Sequence, residues 1–175
     1  KEITRYNLED DETLMSSVGE ISDVIMDQQN VLLVATSQKG LIAINTINKT
    51  HRVLMEKDDR GETIFVRCIE RIDPNTLWIG SESGVYIYHS DTEEVMNLRH
   101  DESLYNTLSD NAIYSIYKDR DGGIWVGSYF GGVDYHSNQQ TNFELFYPLV
   151  ANKELRGKRI REFCAAPEGN IWIGT

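Results

Sequence analysis

Side chains with useful chemistry recur at fixed offsets in this sequence of 175 residues. Arg67, Tyr114 and Arg161 each stand eleven residues before a tryptophan (Trp78, Trp125 and Trp172), and Ser22 holds the corresponding place in a first, degenerate copy. A few residues after the same reference points come Lys39, Glu82, and Tyr129 with Phe130. Arg, Tyr and Phe in one neighbourhood suit a sugar. Flat rings cover its C–H face, and charged donors reach its hydroxyls or a uronate carboxylate. The bland alternative is that Arg67 and Arg161 are solvated residues lining a channel.

The other reactive groups form weaker patterns. Asp119-Arg120-Asp121-Gly122-Gly123 has a passing likeness to a calcium loop, but such a loop needs more oxygen ligands and a distal Glu, so a hairpin turn is expected. His89 and His136 each follow their Trp by eleven residues, which makes them a repeat position rather than a cluster, and no metal site is expected. Cys68 and Cys164 cannot make a disulfide framework and read as small buried side chains. No nucleophile elbow, phosphate-cradling loop, HExxH or CxxC occurs. Neither catalysis nor a cofactor is expected of the segment.

The elements that carry these residues are legible from the repeats. Trp78, Trp125 and Trp172 are spaced by 47 residues, and each is followed two residues later by a glycine: Gly80, Gly127 and Gly174. Leu33 and Ala35 take these places in the first copy. Upstream run two apolar columns, Ile21, Val66, Ile113, Ile160 and Val24, Ile69, Ile116, Phe163. Between column and Trp lies a turn of Asp, Asn, Pro or Gly, the types a hairpin demands. Each unit reads as four short strands rich in β-branched and aromatic residues. A four-stranded repeat of about 40–50 residues marks a β-propeller blade.

The fold expected is therefore all-β, a propeller segment of about three and a half four-stranded antiparallel blades. The blades fall at 21–56, 64–99 and 111–148. Residues 158–175 give two strands of a truncated blade, and 1–8 give the last strand of a preceding one. The runs Leu77-Trp78-Ile79, Ile124-Trp125-Val126 and Ile171-Trp172-Ile173 are apolar on both sides, as in a sheet covered on both faces. The indoles are expected to fill the gaps between blades, and the glycines to allow close backbone approach. Both end strands read as cut, so a longer protein is expected. The exposed faces of an open arc predict self-association, in the form of a dimer, or closure by parts of the protein outside this segment.

Lys and Arg number 17 against 28 Asp and Glu, a net charge of −11, which argues against a nucleic-acid backbone as partner. No apolar run approaches the roughly 20 residues of a membrane span, so the segment itself is not expected to contact a membrane.

Residues 108–137, LSDNAIYSIYKDRDGGIWVGSYFGGVDYHS, resemble the two-component regulator propeller repeat. Leu108, Ser109, Asn111, Ile113, Ser115, Ile116, Asp119, Gly122, Trp125, Gly127 and Gly132 carry the likeness. GNIWIGT at 169–175 and NTLWIGSESGV at 75–85 carry its core. The resemblance implies the periplasmic sensor region of a hybrid two-component histidine kinase and response regulator of the Bacteroides type. In such proteins propellers precede a β-sandwich, a helix in the inner membrane, and cytoplasmic kinase, receiver and DNA-binding parts. It implies detection of an oligosaccharide and control of polysaccharide-utilisation genes. Rival readings are a propeller lyase or glycosidase, and a scaffold for other proteins. The repeat motif is structural and hands no binding residue to this chain.

Overall fold

The computed structural model describes residues 18–27, 30–104, 106–138, 162–165 and 171–174. They divide between two units, one ending at residue 139 and one beginning at 140. In the first unit, β1 (Ile21–Met26), β2 (Val31–Thr36), β3 (Leu41–Asn45) and β4 (His51–Met55) form one antiparallel sheet in sequence order. A second is built from β5 (Val66–Arg71), β6 (Thr76–Ser81), β7 (Gly84–His89) and β8 (Val95–Leu98). The third holds β9 (Ile113–Lys118), β10 (Ile124–Ser128) and β11 (Val133–His136). The second unit contributes a two-stranded hairpin, β12 (Glu162–Ala165) and β13 (Ile171–Gly174). No α-helix occurs among the described residues, and the architecture is that of a propeller segment. The strands expected within 1–8 and 141–148 lie outside the described residues.

Successive side chains of a strand point to opposite faces of its sheet. In β6 this sends Leu77 and Ile79 into a core with Leu33, Ala35 and Leu41 of the first sheet. Trp78 goes the other way, into a core with Ile113, Ile116, Ile124 and Val126 of the third. The second sheet is thus buried on both faces, and Trp78 is only 6% exposed. Leu33 repeats the role of Trp78 one blade earlier, facing Val66 and Ile69. Gly80 lies where the third sheet comes nearest. A Cβ there would stand 2.8 Å from Ile113 Cγ2 and 2.5 Å from Cys68 Sγ.

Trp125 and Trp172 do not fill an interblade gap among the described residues, contrary to the expectation. Trp125 is on the face of β10 opposite Ile124 and Val126, and within residues 18–138 no further sheet follows on that side. Its indole is 43% exposed, stacks on Tyr135 with centroids 4.5 Å apart and donates from Nε1 to Asp119 Oδ2 at 2.9 Å. Trp172, in the separate hairpin, is 70% exposed. Cys164, in the same hairpin, is exposed rather than buried. Cys68 is partly buried, and its desolvation pushes the thiol pKa up to about 12.

The first strands β1, β5 and β9 are neighbours, and they bear the polar ties between sheets. As the end strand of its sheet, each has backbone N–H groups without a strand partner. Asp23 Oδ2 accepts Ile69 N at 2.9 Å, and Glu70 Oε1 accepts Lys118 N at 3.1 Å. Asp27 and Arg71 add an ion pair at 2.6 Å between the first two sheets.

The turn at 119–123 is a hairpin built on one carboxylate. Asp119 Oδ1 accepts the N–H groups of Asp121 and Gly123 at 3.0 and 2.8 Å, while Oδ2 takes the Trp125 indole. Both oxygens of Asp119 are engaged by neighbouring donors, as in turns built on an Asp side chain.

Two outcomes are expected. Trp78→Ala should cost about 3–5 kcal/mol in denaturant unfolding, as a large core truncation. Trp125→Ala should cost about 1–2 kcal/mol, the loss of one stack and one hydrogen bond at a half-exposed site. The second outcome concerns pH. The Trp125 indole, followed by backbone donors, holds the Asp119 carboxyl below the usual range. A lowered folded-state pKa stabilises above the unfolded value of about 4 and is lost as pH falls through the folded value. The Trp125 indole N–H resonance should therefore hold steady down to about pH 4 and move only below it. Asp119→Asn should abolish that acid step.

Candidate ligand-binding surface

The column Ser22, Arg67 and Tyr114 has a structural property that its residue types do not announce. In each first strand the ladder skips one residue. Val66 pairs with Ser81 and Cys68 with Gly80, which leaves Arg67 unpaired. Ile113 pairs with Ser128 and Ser115 with Gly127, which leaves out Tyr114. Ile21 pairs with Thr36 and Asp23 with Ala35, which leaves out Ser22. A bulge of this kind re-aims a side chain and ends regular pairing. The same end of every inner strand thus carries one side chain released from the sheet pattern.

The loops between second and third strands are pinned beside these bulges. Ser37 N donates to Glu20 O at 3.0 Å, Glu82 N to Phe65 O at 3.2 Å and Tyr129 N to Ala112 O at 2.9 Å. Within each loop a hydroxyl ties its own turn: Thr36 Oγ1 to Gly40 O at 2.9 Å, Ser81 Oγ to Gly84 O at 2.9 Å and Ser128 Oγ to Gly132 O at 3.3 Å. Gly40, Gly84 and Gly132 have φ of 63°, 107° and 86°, a region that favours glycine.

These constraints bring five of the candidate residues together. The Arg67 guanidinium lies 4.1 Å from the Tyr114 ring centroid and 4.3 Å from that of Phe65. Arg67 donates from Nε and Nη2 to Glu82 Oε1. Tyr114 meets Tyr129 with centroids 5.2 Å apart, and Tyr129 meets Phe130 edge-on at 4.3 Å. A continuous run of Phe65, Arg67, Tyr114, Tyr129 and Phe130 results, with Glu82 at its edge. Its outer rings face solvent, Tyr129 being 59% and Phe130 86% exposed. Asp110 fixes the far end, where Oδ2 accepts Phe130 N at 3.0 Å. That bond, with the N–H groups of Ala112 and Asn111, holds the Asp110 carboxyl below its usual range.

Lys39 is not part of the run. It pairs with Glu56 at 3.1 Å in the first sheet. Arg161 lies outside the described residues, and Gly174 is in β13 of the separate hairpin. Phe65 and Asp110 were missed by sequence reasoning. The positions equivalent to Phe65 are Glu20 and Ala112, so no column marks it. His89 Nδ1 lies 3.3 Å from Thr76 Oγ1, and the His136 ring is 5.6 Å from that of Trp78. No group of three or more metal-ligating side chains occurs among the described residues. A cavity of about 570 Å³ lies between the second and third sheets, walled by Trp78, Arg99, Asp134 and His136 among others. One of about 250 Å³, lined by Leu33, Arg52 and Tyr88 among others, lies between the first and second. Neither includes a residue of the aromatic run.

Residues 107–130 match the family model described as two component regulator propeller. The structure gives the residues of this match structural work. Leu108 is buried in the core beside Trp78. Ser109 binds Asp134 through both N–H, at 2.9 Å, and hydroxyl. Asn111 Oδ1 accepts His100 N at 2.8 Å, and its carbonyl accepts Gly84 N at 2.8 Å, which ties the second sheet to the third. No curated protein matches the chain. Among solved structures, the extracellular domain of a hybrid two-component system of B. thetaiotaomicron aligns with 88% of this chain at 18% identity and a TM-score of 0.59. The chain covers 20% of that structure's length. A second such extracellular domain from B. thetaiotaomicron aligns at 19% identity and a TM-score of 0.43, over 99% of this chain and 28% of its own. The computationally designed Ika4 protein aligns at 11% identity and a TM-score of 0.51, over 92% of this chain and 94% of its own. The chain thus has the fold of a β-propeller segment, and at residues 107–130 it carries a repeat matched by the two-component regulator propeller family.

Proposed function

We propose that this chain is a ligand-sensing, non-catalytic propeller segment of an extracytoplasmic sensor. The whole protein would be a hybrid two-component histidine kinase and response regulator, periplasmic in this region and anchored in the inner membrane. Its ligand is an oligosaccharide, and its output is control of polysaccharide-utilisation genes. The observation that carries this reading is the run of exposed rings formed by the bulge of β9 and the loop after β10, edged by a charged hydrogen-bonding pair. Rings of this kind cover the C–H face of a pyranose, and polar groups at their border address its hydroxyls. The match at residues 107–130 and the fold shared with a two-component extracellular domain support the wider placement.

Binding without turnover fits the local carboxylates. Glu82 is engaged by Arg67, and Asp110 by backbone N–H groups. A retaining glycosidase instead needs two carboxyl groups free to act on the glycosidic bond. Signalling requires that the ligand favour one arrangement of two sensor chains over another, since only differential affinity shifts an equilibrium.

Calorimetry of the chain against a glycan panel tests the proposal. At least one oligosaccharide should bind, and Tyr129→Ala and Arg67→Ala should each weaken it by about tenfold, the effect of losing a central contact. Lys39→Ala, outside the aromatic run, should leave affinity unchanged. Hydrolysis or elimination of any glycan, abolished by a single carboxylate substitution, would replace the sensor reading with an enzyme.

A further inference from the structure

We infer that the aromatic surface selects neutral oligosaccharides and discriminates against acidic ones, an inference that rests on the oligosaccharide reading above. The residue types alone leave Arg67 two roles, as donor to hydroxyls or as clamp for a uronate carboxylate. The structure occupies one of the two edges by which the clamp could act. Two donors of the guanidinium fork, Nε and Nη2, already converge on Glu82 Oε1. Its two neighbouring rings, Phe65 and Tyr114, lie at stacking distance and leave little freedom to turn. An incoming carboxylate binds Arg best by taking the fork on two parallel bonds. A carboxylate taking the Nε–Nη2 edge would have to displace Glu82 and leave it charged and unpaired alongside, and one taking the Nη1–Nη2 edge would meet a guanidinium whose charge Glu82 already offsets.

The surrounding charge points the same way. Beside the rings stand Arg67, positive, and Glu82 and Asp110, negative. Lys39 of the preceding loop is matched by Glu56. The sum is one negative charge, on a chain whose net charge is −11. Like charges within a Debye length of about 8 Å repel at physiological salt. A neutral sugar meets none of this. Its C–H face rests on Tyr129, Phe130 and Tyr114, and the Glu82 carboxylate beside them is an acceptor for hydroxyls.

The test is calorimetry of the whole chain, at about 20 and 200 mM salt, with matched probes. These are xylo-oligosaccharides with and without glucuronate branches, and galacto-oligosaccharides against oligogalacturonates. The neutral member of a binding pair should bind at least about tenfold more tightly, a gap that narrows at higher salt. Glu82→Gln, which removes one negative charge and loosens the fork, should raise affinity for the acidic member by about tenfold and leave the preference for the neutral one much reduced. Near-ultraviolet circular dichroism establishes that the variant is folded. Tighter binding of the acidic member by the unaltered chain overturns the inference, as does an acidic affinity unmoved by Glu82→Gln, while the oligosaccharide reading survives both. Absence of binding by every probe overturns both together.

Discussion

A sheet whose central strand is apolar on both sides has two faces to remove from water, and a single neighbour can cover only one. That constraint organises this chain. Leu77 and Ile79 need the first sheet, Trp78 needs the third, and the strand that bears all three cannot satisfy both without standing between two others. The repeat length follows, because each unit must supply one complete layer. Gly80 shows how tight the arrangement is, with Ile113 of the next sheet close enough to clash with any Cβ placed there. The polar ties follow too. Carboxylates of one inner strand cap the backbone N–H groups of the next, adding polar ties beside the apolar packing of the same strands.

Packing commits the sheet faces and leaves the strand ends free. The inner-strand bulges exploit this. Each frees one side chain from the alternation that packing imposes, at the end where the loops between second and third strands arrive. The loops are held by repeated bonds of the same kind, so the scaffold is constant while the side chains it presents vary: Ser22, Arg67, Tyr114, and Lys39, Glu82, Tyr129. A rigid frame with variable tips suits a binding surface, because the rings are positioned before a ligand arrives. The Arg67–Glu82 pair places the guanidinium against the Tyr114 ring.

Much of the fold was legible because the constraint leaves a residue signature. Trp, Gly and the apolar columns recur since each must face a neighbour in every unit. The candidate surface was half legible. A polar or aromatic residue within an apolar strand pointed to Arg67 and Tyr114, and loop position pointed to Glu82, Tyr129 and Phe130. The bulges were hidden, because a skipped rung belongs to the pairing of two strands and needs no particular residue. Phe65 was hidden because its equivalents, Glu20 and Ala112, share no chemistry with it; its position is set by a backbone carbonyl. Lys39 was grouped by loop position alone, and its ion pair with Glu56 holds it in the first sheet. Trp125 shares the sequence environment of Trp78 and differs in exposure, because burial of that column depends on the sheet that follows rather than on the strand that carries it.

The central claim is that consecutive sheets pack face to face through the Trp–Gly column, and a double-mutant cycle at Gly80 and Ile113 addresses it most directly. Gly80→Ala places a methyl group against Cys68 of its own sheet and Ile113 of the next, and Ile113→Ala removes the contact between sheets. If the two sheets are in contact there, the double variant should be more stable than the sum of the single losses predicts, by at least about 0.5 kcal/mol in equilibrium unfolding. Strict additivity of the two losses would contradict the account.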